Sequence, residues 1–333
     1  MIPPTRSHLQ WLRLTAVAGC LIAAALALAA EGAPRKKAGT KKGDDSARIP
    51  GDLRIVKDIV FKDVKNSDGR PLDLWLFEPL VKKYARAPLV VYIHGGGWGG
   101  GDKHNVFRSD NIEVVRALNR AGIACATIEY RLADGGAATA YDSAADCKDA
   151  ARFLVKHAAK YGIDPARIGT FGGSAGGNLA LVTALGDDAD YPCDPALAAH
   201  RTQIRCVAAY FPATTFLHPE VMQGSNFERP QRMIPIIGGL LGEKRAIAVK
   251  LSPVELVKAD SPPIFLAHGD NDTVLSHRHS LLLRDIAEKK GAAVECVIAK
   301  GAGHGFRGDN IDPTVAEINR RTVAFFLKYL TAP

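Results

Sequence analysis

From Gly51 onward, short runs dense in apolar and β-branched residues alternate with longer stretches whose apolar positions recur every three or four residues. The first kind reads as buried strands and the second as amphipathic helices. Their alternation is the signature of an α/β domain with a mostly parallel sheet. LRIVKDIVFKDV and PLDLWLFEPL are joined by KNSDGR, whose Ser-Asp-Gly supplies a positive-φ turn position, so the pair reads as an antiparallel hairpin at one edge. Next come the strand APLVVYI, a helix near Asp110 to Arg120, the strand IACATIEY, a helix from about Ser143 to Tyr161, the strand RIGTF and a helix from Ala175. In the second of these helices Ala144, Cys147, Ala151, Leu154 and Val155 share one face, which packs on the sheet. IRCVAAYF, PPIFLAHG and VECVIAK add three strands, and VAEINRRTVAFFLKYL closes the chain as a helix. The prediction is an α/β fold with a mostly parallel eight-stranded sheet and helices on both faces. Only after the sixth strand does the alternation fail: residues 213–261 read as neither strand nor helix, and an irregular insert of that length is expected to act as a lid or pocket wall.

The N-terminus follows a different pattern. Arg6 and Arg13 precede the apolar run LTAVAGCLIAAALALAA, which ends in small residues with Ala27 and Ala29 spaced as at a cleavage site, so residues 1–30 read as a secretory signal peptide and the protein as exported. An uncleaved anchor helix is the competing reading, and only in that case is a membrane a partner. Residues 31–50 are charged and poor in apolar residues, as in a solvated linker, which leaves 51–333 as the catalytic domain. Residues 1–50 hold eight Lys/Arg against three Asp/Glu, five of the eight net positive charges of the whole 333-residue chain. The basic balance is therefore mostly a property of the tail and gives no reason to expect a nucleic-acid surface. The apolar fraction of 47% suits a large buried core. Beyond Cys20 five cysteines remain; Cys125 and Cys296 sit in strand-like runs, and Cys193 with Cys206 is the one pairing to expect. No Cys or His spacing points to a metal site, and no cofactor is expected.

Candidate chemistry centres on GTFGGSAGGNLA, where Ser174 stands among five glycines between a strand and a helix. A serine hydroxyl needs exposure and an adjacent base to become a nucleophile, and a G-x-S-x-G turn at a strand-to-helix junction supplies the exposure. The glycine loop YIHGGGWGGGDK can turn backbone N–H groups toward an oxyanion; Gly96 and Gly97 are the candidates, with the Ala175 N–H as a third donor. Gly95, Gly97 and Gly100 also fit a dinucleotide-binding fingerprint, but that motif needs a helix opening within the glycines, and the next helix starts near Asp110. Downstream, LAHGDNDTV and AKGAGHGF place acids and a histidine in loops after adjacent strands, in the chain order serine, acid, histidine. His304 is the expected general base. Asp270 and Asp272 are both candidates for the acid, and His268 is expected to brace their loop. Trp98 and Phe306, beside the glycine loop and the base, are candidates for the substrate pocket, with core packing as the alternative.

In this order, HGGGW, GGSAGG, HGDND and GHGF resemble the α/β-hydrolase superfamily, and within it the HGGG-type serine esterases related to hormone-sensitive lipase. The continuation from Trp98 through Gly101-Asp102-Lys103 resembles the bacterial branch of acetyl-xylan and feruloyl esterases. The resemblance covers about Arg54 to Leu330 and implies Ser174 as nucleophile, His304 as base, and Asp272 in preference to Asp270 as the acid. It also implies backbone oxyanion donors at Gly96, Gly97 and Ala175. Glu129 to Ala133, EYRLA, is similar to a segment with a structural role near the site in this family, but DGGAATAYDSA replaces the continuation found in the lipase-like members. The expected activity is hydrolysis of short-chain or aryl acyl esters, small or carbohydrate-borne, through an acyl-enzyme. An amide or peptide hydrolase and a non-catalytic binding module are the runners-up.

Overall fold

A computed structural model describes residues 49–66 and 69–331. The signal-peptide assignment, most of the linker assignment and the hairpin residues Ser67 and Asp68 lie outside the described residues. Ile49 and Pro50, assigned to the linker, belong to the folded unit: Ile49 packs against the core and the Pro50 carbonyl accepts the Leu53 N–H at 3.2 Å.

Eight strands form one sheet: β1 (Arg54–Lys65), β2 (Pro71–Glu78), β3 (Ala87–Ile93), β4 (Ala124–Ile128), β5 (Ile163–Gly173), β6 (Ile204–Tyr210), β7 (Ile264–Gly269) and β8 (Val294–Ala299), in the order β1-β2-β4-β3-β5-β6-β7-β8. β1 pairs antiparallel with β2 and β2 antiparallel with β4; all other neighbours are parallel. The central strands are apolar throughout because both faces are covered, as parallel sheets require. In β3, Leu89, Val91 and Ile93 enter one core and Val90 and Tyr92 the other.

Helices α1 (Asn111–Arg120), α2 (Ala140–Lys156), α3 (Ala175–Leu185), the short α4 (Pro219–Met222), α5 (Ile234–Ile237), α6 (Arg245–Lys250) and α7 (Pro253–Leu256), then α8 (Arg278–Lys290) and α9 (Val315–Leu330) complete the layers. α2, α3 and α8 pack on one face, and α1 and α9 on the other. α2 begins three residues before the expected Ser143, because the Asp142 carboxylate accepts both the Thr139 N–H and its hydroxyl at 2.9 Å and closes the first turn. It ends at Lys156, short of Tyr161, where the chain turns through Gly162 at φ +64° into β5. α8 was not expected: its buried face comprises His279, Ser280, Leu283 and Ala287, so the apolar stripe is broken by two polar residues.

The expected Cys193–Cys206 disulfide is absent; both thiols are free. Cys206 points from β6 into the α1/α9 core, whereas Cys193 lies beside Asp149 of α2, on the other side of the sheet. A charged cluster is buried on that same side. Lys62 of β1 donates to Asp146 at 2.8 Å and to Asp149 at 2.7 Å, and Arg131, in the EYRLA segment, donates to Asp146 at 2.7 Å. EYRLA thus joins the edge hairpin to α2.

Candidate active site

The site forms at the carboxyl end of the sheet, from the loops that leave β3, β5, β7 and β8, where open α/β sheets bind ligands. Ser174 sits between β5 and α3 at φ +58°, a left-handed conformation that costs a non-glycine residue energy and recurs at functional turns. Its flanking glycines make the turn possible by close approach. A Cβ on Gly172 would stand 2.3 Å from the Gly176 carbonyl oxygen, and one on Gly176 would stand 2.1 Å from that of Ile93.

His304, half-buried in the loop after β8, accepts the Ser174 hydroxyl at Nε2 over 3.0 Å and contacts Asp272 Oδ2 through Nδ1 at 2.7 Å. With Nδ1–H donating to the carboxylate, Nε2 carries the free lone pair that a base needs. The ring of Phe211 packs edge-on against His304, with centroids 4.8 Å apart. Asp270 does a different job: its Oδ1 accepts the Gly301 N–H at 2.8 Å and braces the two loops against each other. Asp272 is the carboxylate that reaches the histidine.

Burial alone would raise the Asp272 carboxyl. Hydrogen bonds from His268 and His304 and the Leu275 N–H overcome that and hold it well below the usual carboxylate range. Its Oδ1 accepts the Val274 and Leu275 N–H groups, both at 2.9 Å. His268, fully buried, lies 3.3 Å from Oδ2. Its Nε2–H donates to the Leu275 carbonyl at 2.9 Å while Nδ1 meets the Ser280 hydroxyl at 2.8 Å, so the acid loop rests on a fixed imidazole. Burial lowers the His268 pKa, which keeps that ring neutral.

The glycine loop after β3 lies against Ser174. A Cβ on Gly95 would stand 2.7 Å from the Gly173 carbonyl oxygen and 3.4 Å from Ser174 Cβ. Gly96, at φ +131°, passes close enough to the Gly100 carbonyl that a side chain there would meet it at 2.1 Å. Among the described residues the Gly96 and Gly97 N–H groups donate to no protein acceptor. The Ala175 N–H opens α3 next to the hydroxyl. From below, the loop is held by Tyr130, whose hydroxyl donates to the His94 carbonyl at 2.8 Å and whose ring stacks on His94 at 4.1 Å. α1 starts at Asn111, well past the glycines, and the short 3-10 turn Lys103–Arg108 that follows them opens on the Asp102 carboxylate, so no α-helix begins within the dinucleotide fingerprint.

Residues 72–286 match the BD-FAE family model, a span that contains Ser174 and Asp272 and stops short of His304. The chain belongs to the BD-FAE family. Among curated relatives of this BD-FAE chain, a probable carboxylic ester hydrolase of Mycobacterium tuberculosis, LipM, is 27% identical over 70% of the chain and 54% of the relative. An ethyl acetate hydrolase of Pseudomonas putida is also 27% identical, over 72% of each chain. The chain spans about half the length of the mycobacterial relatives LipM and LipQ, 54% of each. Among solved structures, the thermophilic esterase Est2 of Thermogutta terrifontis superposes with a TM-score of 0.65 at 25% identity, over 83% of this chain and 92% of that one. A truncated carbohydrate esterase from gut microbiota superposes with a TM-score of 0.69 at 21% identity, over 84% and 97% of the two chains, and shares the α/β-hydrolase fold.

Within this BD-FAE fold the two pocket candidates are packed inside. Trp98 is 1% exposed, its ring against Phe216 and Phe227 of the insert and its Nε1–H donating to Asn178 Oδ1 at 3.2 Å. Phe306 is 7% exposed and packs against Tyr210 and Phe211, the second of which backs His304. Neither forms an open acyl wall; both support the loops that do the work, because large rings next to a tightly turned backbone gain most by filling the space behind it.

Asn178 was not singled out from the sequence. Fully buried on α3, it accepts from Trp98 and donates through Nδ2 to the Ala213 carbonyl at 2.9 Å and the Leu251 carbonyl at 2.8 Å. One amide thus ties the glycine loop to α3 and to two distant points of the insert, Ala213 and Leu251. The signal was there: one amide in the otherwise apolar stretch NLALV of α3.

Proposed function

We propose that the protein is an exported serine carboxylic-ester hydrolase acting through an acyl-enzyme on Ser174. The observation that carries this reading is the relay from Ser174 Oγ to His304 Nε2 at 3.0 Å and from His304 Nδ1 to Asp272 Oδ2 at 2.7 Å. His304 takes the hydroxyl proton as Ser174 Oγ attacks the ester carbonyl, and Asp272 stabilises the imidazolium that forms. The Gly96, Gly97 and Ala175 N–H groups receive the oxyanion. Collapse of the tetrahedral intermediate breaks the ester C–O bond, and His304 returns the proton to the leaving alcohol. Water then attacks the acyl-enzyme with His304 again as base, releasing the acid and restoring the serine. Family membership and the named activities of the relatives support ester substrates, with short acyl or aryl acyl groups and carbohydrate side chains as the proposed range. Export rests on the N-terminal pattern of two arginines followed by an apolar run.

Hydrolysis of p-nitrophenyl esters from acetate to octanoate, alongside methyl ferulate and acetylated xylan, tests the reading. Ser174→Ala is expected to lower kcat/KM at least about a thousandfold with little change in stability. Turnover by that variant at a tenth of the wild-type rate would overturn it, and Ser174-dependent cleavage of anilides but not esters would make the protein an amidase.

A further inference from the structure

A cavity of about 500 Å3 lies where the insert meets the acid loop, bordered by Ser225, Asn226, Glu228, Arg229, Arg232 and Thr273. Two connections tie its walls to the catalytic loops. Phe227, in the same segment, packs edge-on against Trp98 of the glycine loop with centroids 6.0 Å apart, and Thr273 directly follows Asp272. Glu228 is occupied within the segment, its Oε2 accepting the Gly224 N–H at 3.2 Å. Arg229 and Arg232 are exposed, and among the described residues neither guanidinium has a carboxylate or carbonyl partner.

The lining is selective in chemistry. The lining carries two guanidinium groups against the single carboxylate of Glu228, a net positive charge that suits a carboxylate, which arginine binds with paired, charge-assisted hydrogen bonds. The hydroxyl and amide groups of Ser225, Thr273 and Asn226 suit a partner with several hydroxyls. Among the described residues no aromatic or large aliphatic side chain borders the cavity, so an aryl or alkyl group gains little by entering it. We propose that this cavity is a subsite for a polyhydroxy group bearing a carboxylate, the chemistry of an acidic-sugar ester, with Arg229 and Arg232 holding the carboxylate. The proposal rests on the serine-esterase reading above and narrows its substrate class.

The test compares acetyl esters of methyl glucuronoside and methyl glucoside, identical except for the carboxylate, as substrates of the wild-type protein and of Arg229→Met/Arg232→Met. The wild type is expected to favour the glucuronoside about tenfold or more in kcat/KM, mainly through KM, and the double variant to bring that ratio close to one. The wild-type preference should also shrink as salt rises, because both arginines face solvent. A p-nitrophenyl hemisuccinate arm, with its carboxylate on the acyl side, should show no dependence on the two arginines. A wild-type ratio near one, a ratio that survives the double substitution, or an arginine-dependent preference confined to the hemisuccinate would overturn the proposal. Calorimetric binding of free methyl glucuronoside to the Ser174→Ala protein, with and without the arginines, separates this outcome from failure of the esterase reading. Binding that needs the arginines keeps the subsite even if no ester is turned over, and absence of binding removes it.

Discussion

At the scale of single residues, the two aspartates of HGDND differ only in what lies opposite them. Asp270 meets a backbone N–H and Asp272 meets two imidazoles. Asp272→Asn should therefore lower kcat about 10³- to 10⁴-fold, because an amide cannot fix the His304 tautomer that leaves Nε2 free. Asp270→Asn, which only weakens a brace, should lower kcat less than tenfold and register mainly as a lower melting temperature. Steady-state kinetics and thermal unfolding of both variants check the contrast. Glycine context and chain order single out the serine and the histidine that the fold brings within 3.0 Å of each other. The choice of acid does not follow from them, since two residues of spacing say nothing about which carboxylate a turn directs at a ring 32 positions away. The family resemblance made the choice, and the hydrogen bonds give its physical reason.

Among the elements, strands and long helices were readable wherever one period dominates, which is why all eight strands were anticipated. α8 escaped because His279 and Ser280 occupy its buried face at the expense of an apolar stripe, Ser280 meeting His268 under the acid loop and His279 holding Thr214 at the start of the insert. The insert escaped for another reason. Its helices α4 to α7 run only four to six residues, and three carry proline in the first turn, so no window is long enough to show a period. What fixes the insert is long-range: Asn178 on Ala213 and Leu251, the Val254 N–H on the Thr214 carbonyl at 3.1 Å and the Phe216 N–H on Ser252 Oγ at 3.0 Å. Asn178→Leu keeps the volume and strands the Ala213 and Leu251 carbonyls. Urea unfolding should then show a loss of about 1–3 kcal/mol. A fall in kcat/KM should accompany it, since Trp98 loses its acceptor.

For the molecule as a whole, the buried imidazoles of His94, His268 and His279 contribute to the response to acid alongside the hydrogen-bonded Asp272 carboxylate. Burial lowers all three, and takes His279 to about 3. An unfolded histidine titrates near 6.5, so below that pH the unfolded chain binds protons that the folded one refuses. The histidine contribution to stability is therefore full above about pH 6.5 and declines as pH falls, and for His279 that decline runs toward pH 3 at about 1.4 kcal/mol per pH unit. His279→Asn keeps an acceptor for the Thr214 N–H, a contact His279 Nδ1 makes at 3.2 Å, and should flatten the decline by one such slope in denaturation midpoints measured from pH 4.5 to 8. Parallel wild-type and variant curves would show that His279 does not resist protonation. At this scale the sequence patterns conveyed the sheet and its covered faces, but not that β4 would insert between β2 and β3, nor which side of the sheet each cysteine would face. Those follow from long-range pairing that no local window contains.

The pinning of Ala213 and Leu251 to one amide has a consequence for how such a protein can diversify. Whatever lies between Ala213 and Leu251 hangs from a closed base as an exchangeable cassette, and doubling the length of such a loop costs only about 0.6 kcal/mol in chain closure. Grafts from related chains that keep Phe216 and Phe227 against Trp98 should therefore alter the rest of the interval while the Ser174–His304–Asp272 hydrogen bonds are inherited unchanged.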